Sequence, residues 1–297
     1  MISRPAAAPG VAVLRHDDRL ASPTRLYRRP GRVIRVHPGR RKGRLIDSHE
    51  WISIAAIREL RRSWRLHFAA LPEGIVRRLL LGILGAWLVC AIAVAVATWI
   101  GPALLERGLQ DWDLAIMIDV RDNSPLSFAS GIMLESPGNI LITLPVMIVA
   151  VAVAVRYGRL LFAIALPFGY VFARLLILEG WWLWDRARPT LIAEGTAALQ
   201  AHSFPSGHIL LALYVYGMLT WVWVGASRNR WERILAWLPP VAVALLVGYS
   251  RLLLGAHWPS DTVAGFVLGA MYLVMVLGAL RRTENELESA RRQQASS

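Results

Sequence analysis

Three short clusters in this chain carry the residue types needed to handle a phosphate group. They are Asp185-Arg186-Ala187-Arg188-Pro189, Ser203-Phe204-Pro205-Ser206-Gly207-His208, and Ser250-Arg251 followed by His257 and Asp261. Arginine presents a planar fork to phosphate oxygens and keeps its charge at any working pH, which makes Arg186, Arg188 and Arg251 candidate phosphate ligands. His257 and Asp261 stand four apart and share one face if helical. A carboxylate on one ring nitrogen fixes the tautomer and leaves the other nitrogen a better nucleophile. His208 follows Ser206 and Gly207 at the start of an apolar run, where the free amides and dipole of a helix N-terminus favour an anion. A second histidine facing the phosphate can protonate the leaving oxygen. The set points to phosphoryl transfer through a histidine nucleophile. No carboxylate cluster is placed to hold Mg²⁺, so neither a metal nor a cofactor is expected.

The elements that must position these clusters follow from composition. Of 297 residues, 56% are hydrophobic and only 18% charged, with mean hydropathy +0.45, whereas a soluble domain carries about 25% charged residues. A soluble enzyme and a disordered chain are both excluded for the body. Spanning helices need about 20 mostly apolar residues, and six runs qualify: Leu79–Ile100, a weaker Ile140–Val155 that extends back through Pro137, Leu160–Leu178, Gly207–Gly225, Ile234–Ser250 and Thr262–Leu280. Pro239 and Pro240 are expected to kink the fifth run. Tryptophans at many run ends, such as Trp99, Trp182 and Trp258, fit an aromatic belt. The fold expected is an all-α polytopic membrane bundle of about six transmembrane helices.

Charge sets the orientation. Residues 1–78 hold 18 of the 33 Lys and Arg against 6 of the 20 Asp and Glu, so +12 of the net +13 lies there. A run from Arg25 to Arg44 has nine basic residues and no acid. Without a zinc-finger or helix-turn-helix pattern, and leading straight into apolar spans, it reads as a cytoplasmic membrane flank touching anionic headgroups rather than as a nucleic-acid arm. With six spans, the loops bearing Arg156 and Arg159, then Arg228, Arg230 and Arg233, fall on the same side as the head, as does the tail. All are basic, as positive-inside requires. Both termini are therefore expected in the cytoplasm, and all three clusters on the extracytoplasmic face. Cys90 is the one cysteine, which leaves no intrachain disulfide, and no cleavable signal peptide is expected.

Four segments result: a basic head over residues 1–47, expected to be disordered; an interfacial amphipathic helix over 48–78; a six-span domain over 79–282; and a polar cytoplasmic tail over 283–297, expected to be frayed helix. In the second segment, Trp51, Ile54, Ile57, Leu60, Trp64 and Phe68 recur at helical spacing with arginines between them. A helix packed on the cytoplasmic face of the bundle fits that pattern equally well.

Arg188-Pro189, Pro205-Ser206-Gly207-His208 and Ser250-Arg251…His257…Asp261 resemble the three motifs of the type 2 phosphatidic acid phosphatase (PAP2) superfamily, lipid phosphatases related in their site to vanadium haloperoxidases. The resemblance covers residues 79–280, and the third motif is its most specific part. It implies a PAP2/haloperoxidase-like core with His257 as nucleophile, forming a phosphohistidine, and Asp261 as its orienting partner. His208 would act as the acid on the leaving group. Arg188 and Arg251 would grip phosphate oxygens, and Ser206 and Gly207 would supply hydroxyl and backbone donors. The implied substrate is a membrane lipid phosphate monoester or diphosphate, such as undecaprenyl diphosphate, phosphatidic acid or phosphatidylglycerophosphate.

One position departs from the family. The first motif is Lys-x6-Arg-Pro, and seven residues before Arg188 stands Trp181; Lys42 is the only lysine in the chain. Arg186 is the expected substitute cation. Arg174, on the same helical stripe as Trp181 and Arg188 but about 10 Å deeper than Trp181 by helical rise, is the other cation that can compensate, though a buried pair with Glu179 is the preferred reading. The missing lysine keeps a weakened, lipid-phosphate-binding protein open as an alternative, and a lipid phosphotransferase differs only in the acceptor. A transporter would place polar residues near the midplane of several spans, whereas polarity here gathers at one face. Glu135 and Asp185 are expected to be solvated, and His202 to lie outside the site.

Overall fold

The structure, a computed structural model, describes residues 48–192 and 202–296. The basic head, residues 1–47, lies outside the described residues, and so do 193–201.

The described chain is helical. The amphipathic pattern forms α1, Ser48–Ala69, whose Leu60 and Trp64 pack against the bundle core. The arginines Arg58, Arg61, Arg62 and Arg65 fall at the expected spacing between them, while Ile54, Ile57 and Phe68 of the same apolar pattern remain exposed. Gly74, in the left-handed region at φ 75°, turns the chain into α2, Ile75–Leu104. A π-turn over Leu105–Leu109 breaks at Gly108, φ 104°, and leads into α3, Gln110–Asn123. Ser127 caps α4, Phe128–Glu135, and Asn139 caps α5, Ile140–Arg156, with a 3₁₀ turn over Ser136–Gly138 between them. Then come α6, Leu160–Leu183, and α7, Gly207–Ala226. The last three are α8, Arg230–Leu235, α9, Leu238–Leu253, and α10, Pro259–Ser296.

Six helical stretches are long and apolar enough to cross a membrane, as the sequence reading expected. The fifth run is interrupted next to Pro239 and Pro240: α8 ends at Leu235 and α9 restarts at Leu238, with the prolines in its first turn, where a missing N–H has no helical acceptor to lose. Two details differ. The third span runs to Leu183, five residues past the expected end. The tail is not frayed: α10 continues unbroken to Ser296, and Glu286 on it meets Arg78 of α2 at 2.8 Å.

The core is the shared interior of α2, α6, α7, α9 and α10. Its two largest buried side chains are tyrosines whose hydroxyls are satisfied by α6 carbonyls. Tyr214 donates to the Ala165 carbonyl at 2.8 Å and Tyr272 to the Gly169 carbonyl at 3.0 Å, so both are packing residues that avoid an unpaired buried hydroxyl. Close helix approach depends on Gly265 of α10, where a Cβ would stand 2.5 Å from the Ser206 carbonyl oxygen.

Candidate active site

At the end of the bundle where α6 stops and α7 starts, a cavity of about 240 Å³ opens among α5, α6, α7 and α9. His208, His257, Arg188, Arg251 and Gly207 all line it. Five of the eight expected site residues therefore come together although they lie on separate stretches of chain. The pairing that closes the site is short. Ala187 bridges His202 in antiparallel fashion, and Ser203 N donates to the Arg186 carbonyl at 2.9 Å. That bridge lays the arginine segment beside the Pro-Ser-Gly-His turn.

His257 is 2% exposed. Its Nδ1 lies 2.6 Å from the Ser203 carbonyl oxygen and 3.9 Å from Asp261 Oδ2. A carbonyl can only accept, so Nδ1 carries the proton and the Nε2 lone pair is left for the cavity. Burial holds the imidazole well below its ordinary range, to about 4; the positive charges of Arg251 and Arg188 add to that, and Asp261 opposes it. The ring is thus a neutral base near pH 7. Where the sequence reading expected Asp261 to orient the ring, the Ser203 carbonyl is the nearer partner of Nδ1 and Asp261 stands further off.

Asp261 is engaged elsewhere. Its Oδ1 accepts from Arg186 Nη1 at 2.5 Å and its Oδ2 from Trp258 N at 2.9 Å. Arg186 is 5% exposed, and its Nη2 also donates to Asp113 Oδ2 at 2.5 Å. Ser260 completes the cluster, donating to Asp113 from both N (2.8 Å) and Oγ (2.7 Å). The guanidinium stacks against Trp184 and Trp258 at 5.1 and 5.6 Å from the ring centroids. Arg186 is therefore not the substitute phosphate cation: two buried carboxylates saturate it, and it is not among the residues lining the cavity. Asp113 is fully buried.

Arg188 donates from Nη1 to the Ala256 carbonyl at 2.5 Å. Burial, then the neighbouring Arg251, lower its guanidinium to about 10, against the pull of Asp261, so it is still cationic at neutral pH. Arg251 pairs with Glu135, and its Nε is buried without a partner among the described residues. Glu135 is not a solvated interface residue; its side chain is 19% exposed and pairs with Arg251. Asp185 is solvated as expected, 78% exposed, with His202 at 2.8 Å. His202 stays outside the cavity lining and stacks on Trp181 with centroids 6.2 Å apart.

Ser206 is not aimed into the cavity lining either. Its N–H donates to the Asp261 carbonyl at 3.1 Å, and its Oγ is buried without a partner among the described residues. Its backbone donor is spent joining α7 to α10, so Gly207 is the motif glycine that faces the cavity.

On the opposite wall, sequence reasoning singles out Trp181 and Arg174 but misses Tyr170 and Asn139. Trp181, Arg174 and Tyr170 of α6 line the same cavity, with Asn139 across from them. Arg174 does not pair with Glu179, whose Oε2 is buried without a partner among the described residues. The available signal was a cation inside an apolar span, which is costly unless it has an interior task.

The fold and cavity define a helical membrane protein with two histidines and several arginines around a phosphate-sized space. Residues 159–284, the segment holding both histidines and the cavity arginines, match the PAP2 superfamily, which bears out the resemblance drawn from the three motifs. Among curated relatives, an undecaprenyl-diphosphatase of Sulfolobus acidocaldarius is 31% identical over 111 residues, covering 36% of this chain and 50% of that protein. A phosphatidylglycerophosphatase B of Bacillus subtilis is 35% identical over 81 residues, covering 26% of this chain and 38% of that protein. The chain thus spans half or less of the length of these relatives. The crystal structure of a transmembrane PAP2-type phosphatidylglycerolphosphate phosphatase from Bacillus subtilis shares the fold, with TM-score 0.55 and 23% identity over 63% of this chain and 94% of that one.

Proposed function

We propose that this protein is a membrane lipid phosphatase that hydrolyses a lipid phosphate monoester or diphosphate through a phosphohistidine on His257, with the site on the extracytoplasmic face. The observation that carries the reading is one cavity shared by a neutral His257 with a free Nε2, by His208, and by Arg188 and Arg251.

The chemistry follows from those positions. Arg188 and Arg251 bind the non-bridging oxygens of the phosphoryl group, and the Gly207 N–H at the start of α7 adds a backbone donor. Their charges oppose the negative charge that builds on those oxygens in the transition state. A bound phosphate favours the imidazolium form of His208. Nε2 of His257 attacks phosphorus, the bond to the leaving oxygen breaks, and His208 gives that oxygen its proton. His208, now neutral, takes a proton from water as the water attacks phosphorus, and the N–P bond breaks to release inorganic phosphate. Asp261 acts at a distance, through its carbonyl on Ser206 and its carboxylate on Arg186 and Trp258 N. Asp261, Arg186, Asp113 and Ser260 hold the loop before α10, and with it His257, in place. A substrate whose tail stays in the bilayer suits a cavity at the end of apolar spans, and undecaprenyl diphosphate, phosphatidic acid and phosphatidylglycerophosphate are the candidates.

The test is phosphate release by the purified full-length protein from those three lipids, with and without EDTA. Release should survive EDTA, and an acid-labile phosphoenzyme should be trappable on quenching. The acid limb of kcat/KM should fall well below pH 6, because the nucleophile of the free protein is neutral down to about pH 4. His257→Ala should abolish both turnover and phosphoenzyme. Full activity in that variant, or no release from any lipid phosphate by the natural protein, overturns the proposal.

A further inference from the structure

The α6 wall of the cavity has polar groups that hydrolysis of a single phosphate does not use. Tyr170, Arg174 and Trp181 stand at i, i+4 and i+11, close to three whole turns, and so form one stripe facing inward. Tyr170 is 8% exposed, and its hydroxyl is buried without a partner among the described residues; the Trp181 indole N–H is likewise buried and unpartnered. The Arg174 guanidinium makes no ion pair or hydrogen bond with any other described residue. A cation inside a membrane bundle with no carboxylate beside it is expensive, and so are two orphaned donors. An anion between them would satisfy all three.

The place of that anion relative to the reacting phosphorus follows from depth. Arg174 stands about 10 Å further into the span than Trp181 by helical rise. A lipid tail in the bilayer puts the leaving group on that deeper side. Charge count agrees. Arg174, Arg188 and Arg251, set against Glu135, leave a net +2 in the cavity, which becomes +3 when a bound anion protonates His208 and then matches a fully ionised diphosphate monoester.

We infer that Tyr170, Arg174 and Trp181 form a second anion subsite, which holds a further phosphate group of the leaving portion of the substrate while Arg188 and Arg251 hold the group under attack. The inference rests on the phosphatase reading for its sense of direction. The shared ligand chemistry is a phosphate one linkage removed from the scissile one. It can come from a phosphoryl directly attached, as in a prenyl diphosphate, or from the phosphodiester across a glycerol, as in phosphatidylglycerophosphate.

Binding of methylenediphosphonate and of orthophosphate to the purified full-length protein tests the subsite without turnover. The natural protein should bind the diphosphonate at least about tenfold tighter than orthophosphate, and Arg174→Gln should erase that preference. Arg174→Lys should keep most of it, and Tyr170→Phe, which removes only a hydroxyl, should reduce it about threefold. Kinetics then separate the sources. A loss of kcat/KM in Arg174→Gln confined to the prenyl diphosphate assigns the adjacent phosphoryl, and one confined to phosphatidylglycerophosphate assigns the phosphodiester. An equal loss on both of these and on phosphatidic acid makes Arg174 a ligand of the scissile phosphate and overturns the subsite, as does an absent diphosphonate preference in the natural protein. Failure of every lipid to turn over sinks the phosphatase reading instead, and the binding ratio still decides the subsite.

Discussion

The Nδ1 proton of His257 goes to a backbone carbonyl, and Asp261 pairs with Arg186. Arg186 lies between Asp113 and Asp261 with side-chain exposures of 4%, 0% and 0%. Removing one partner from such a cluster strands the remaining charges in a low-dielectric interior, at about 3–5 kcal/mol. Arg186→Met should therefore lower the thermal midpoint of the purified protein sharply, with phosphate affinity following only as folded protein is lost. A variant that keeps its melting temperature while kcat/KM falls tenfold or more would return Arg186 to the phosphate. Trp181 shows the opposite surprise: it occupies the motif lysine position, lines the cavity and offers a neutral donor there.

Between elements, the contact that sets the site is α10 against the start of α7. The Ser206 N–H bonds the Asp261 carbonyl at 3.1 Å, and Gly265 comes so close to the Ser206 carbonyl that a Cβ there would lie 2.5 Å from it. Backbone cannot swing aside as a flexible side chain can. Gly265→Ala should cost about 1–3 kcal/mol by overpacking and reduce turnover, because the displaced turn carries Gly207 and His208. Gly85→Ala on α2 meets nothing within 4 Å and should be neutral or gain up to about 1 kcal/mol of helix propensity. Thermal unfolding of the two variants in detergent, read beside their activities, checks the contrast; equal stability in both would show that α10 does not press on the turn. The same scale explains the tail. Apolar positions on α10 are buried as far as Leu280 and Thr283, and the helix continues past them because nothing in the following sequence breaks it: no Gly or Pro occurs after Gly278.

For the whole molecule, six spans put the described ends of the chain on one side of the membrane and the cavity on the other. The connections after α5 and α7, with Arg156, Arg159, Arg228, Arg230 and Arg233, lie on the side of the ends. The positive-inside rule supports the proposal that this side is cytoplasmic. Asn123→Cys, at the exposed end of α3, should react with a membrane-impermeant maleimide on intact cells, whereas Arg228→Cys should react only after permeabilisation. The native Cys90 is fully buried and should stay silent. The reverse labelling pattern would place the site in the cytoplasm and remove the extracytoplasmic reading.

Long apolar runs determine helices from sequence alone, because a spanning segment must satisfy its backbone internally whatever surrounds it; so the six spans and the parity that gathers the three clusters at one end were legible. Spacing also identified His208, His257, Arg188 and Arg251, since a motif keeps reacting groups a set number of residues apart. Spacing does not say which of two acceptors a ring nitrogen chooses. Asp261 is four residues from His257, yet the Ser203 carbonyl, 54 residues away in the chain, is the nearer partner. Nor could sequence pair Arg186 with Asp113, 73 residues apart, or Arg251 with Glu135, 116 residues apart. An arginine binds whichever anion packing brings within reach. Tertiary structure alone decided that Arg186 is spent inside the protein, while Arg174, half-buried in a span, lines the cavity.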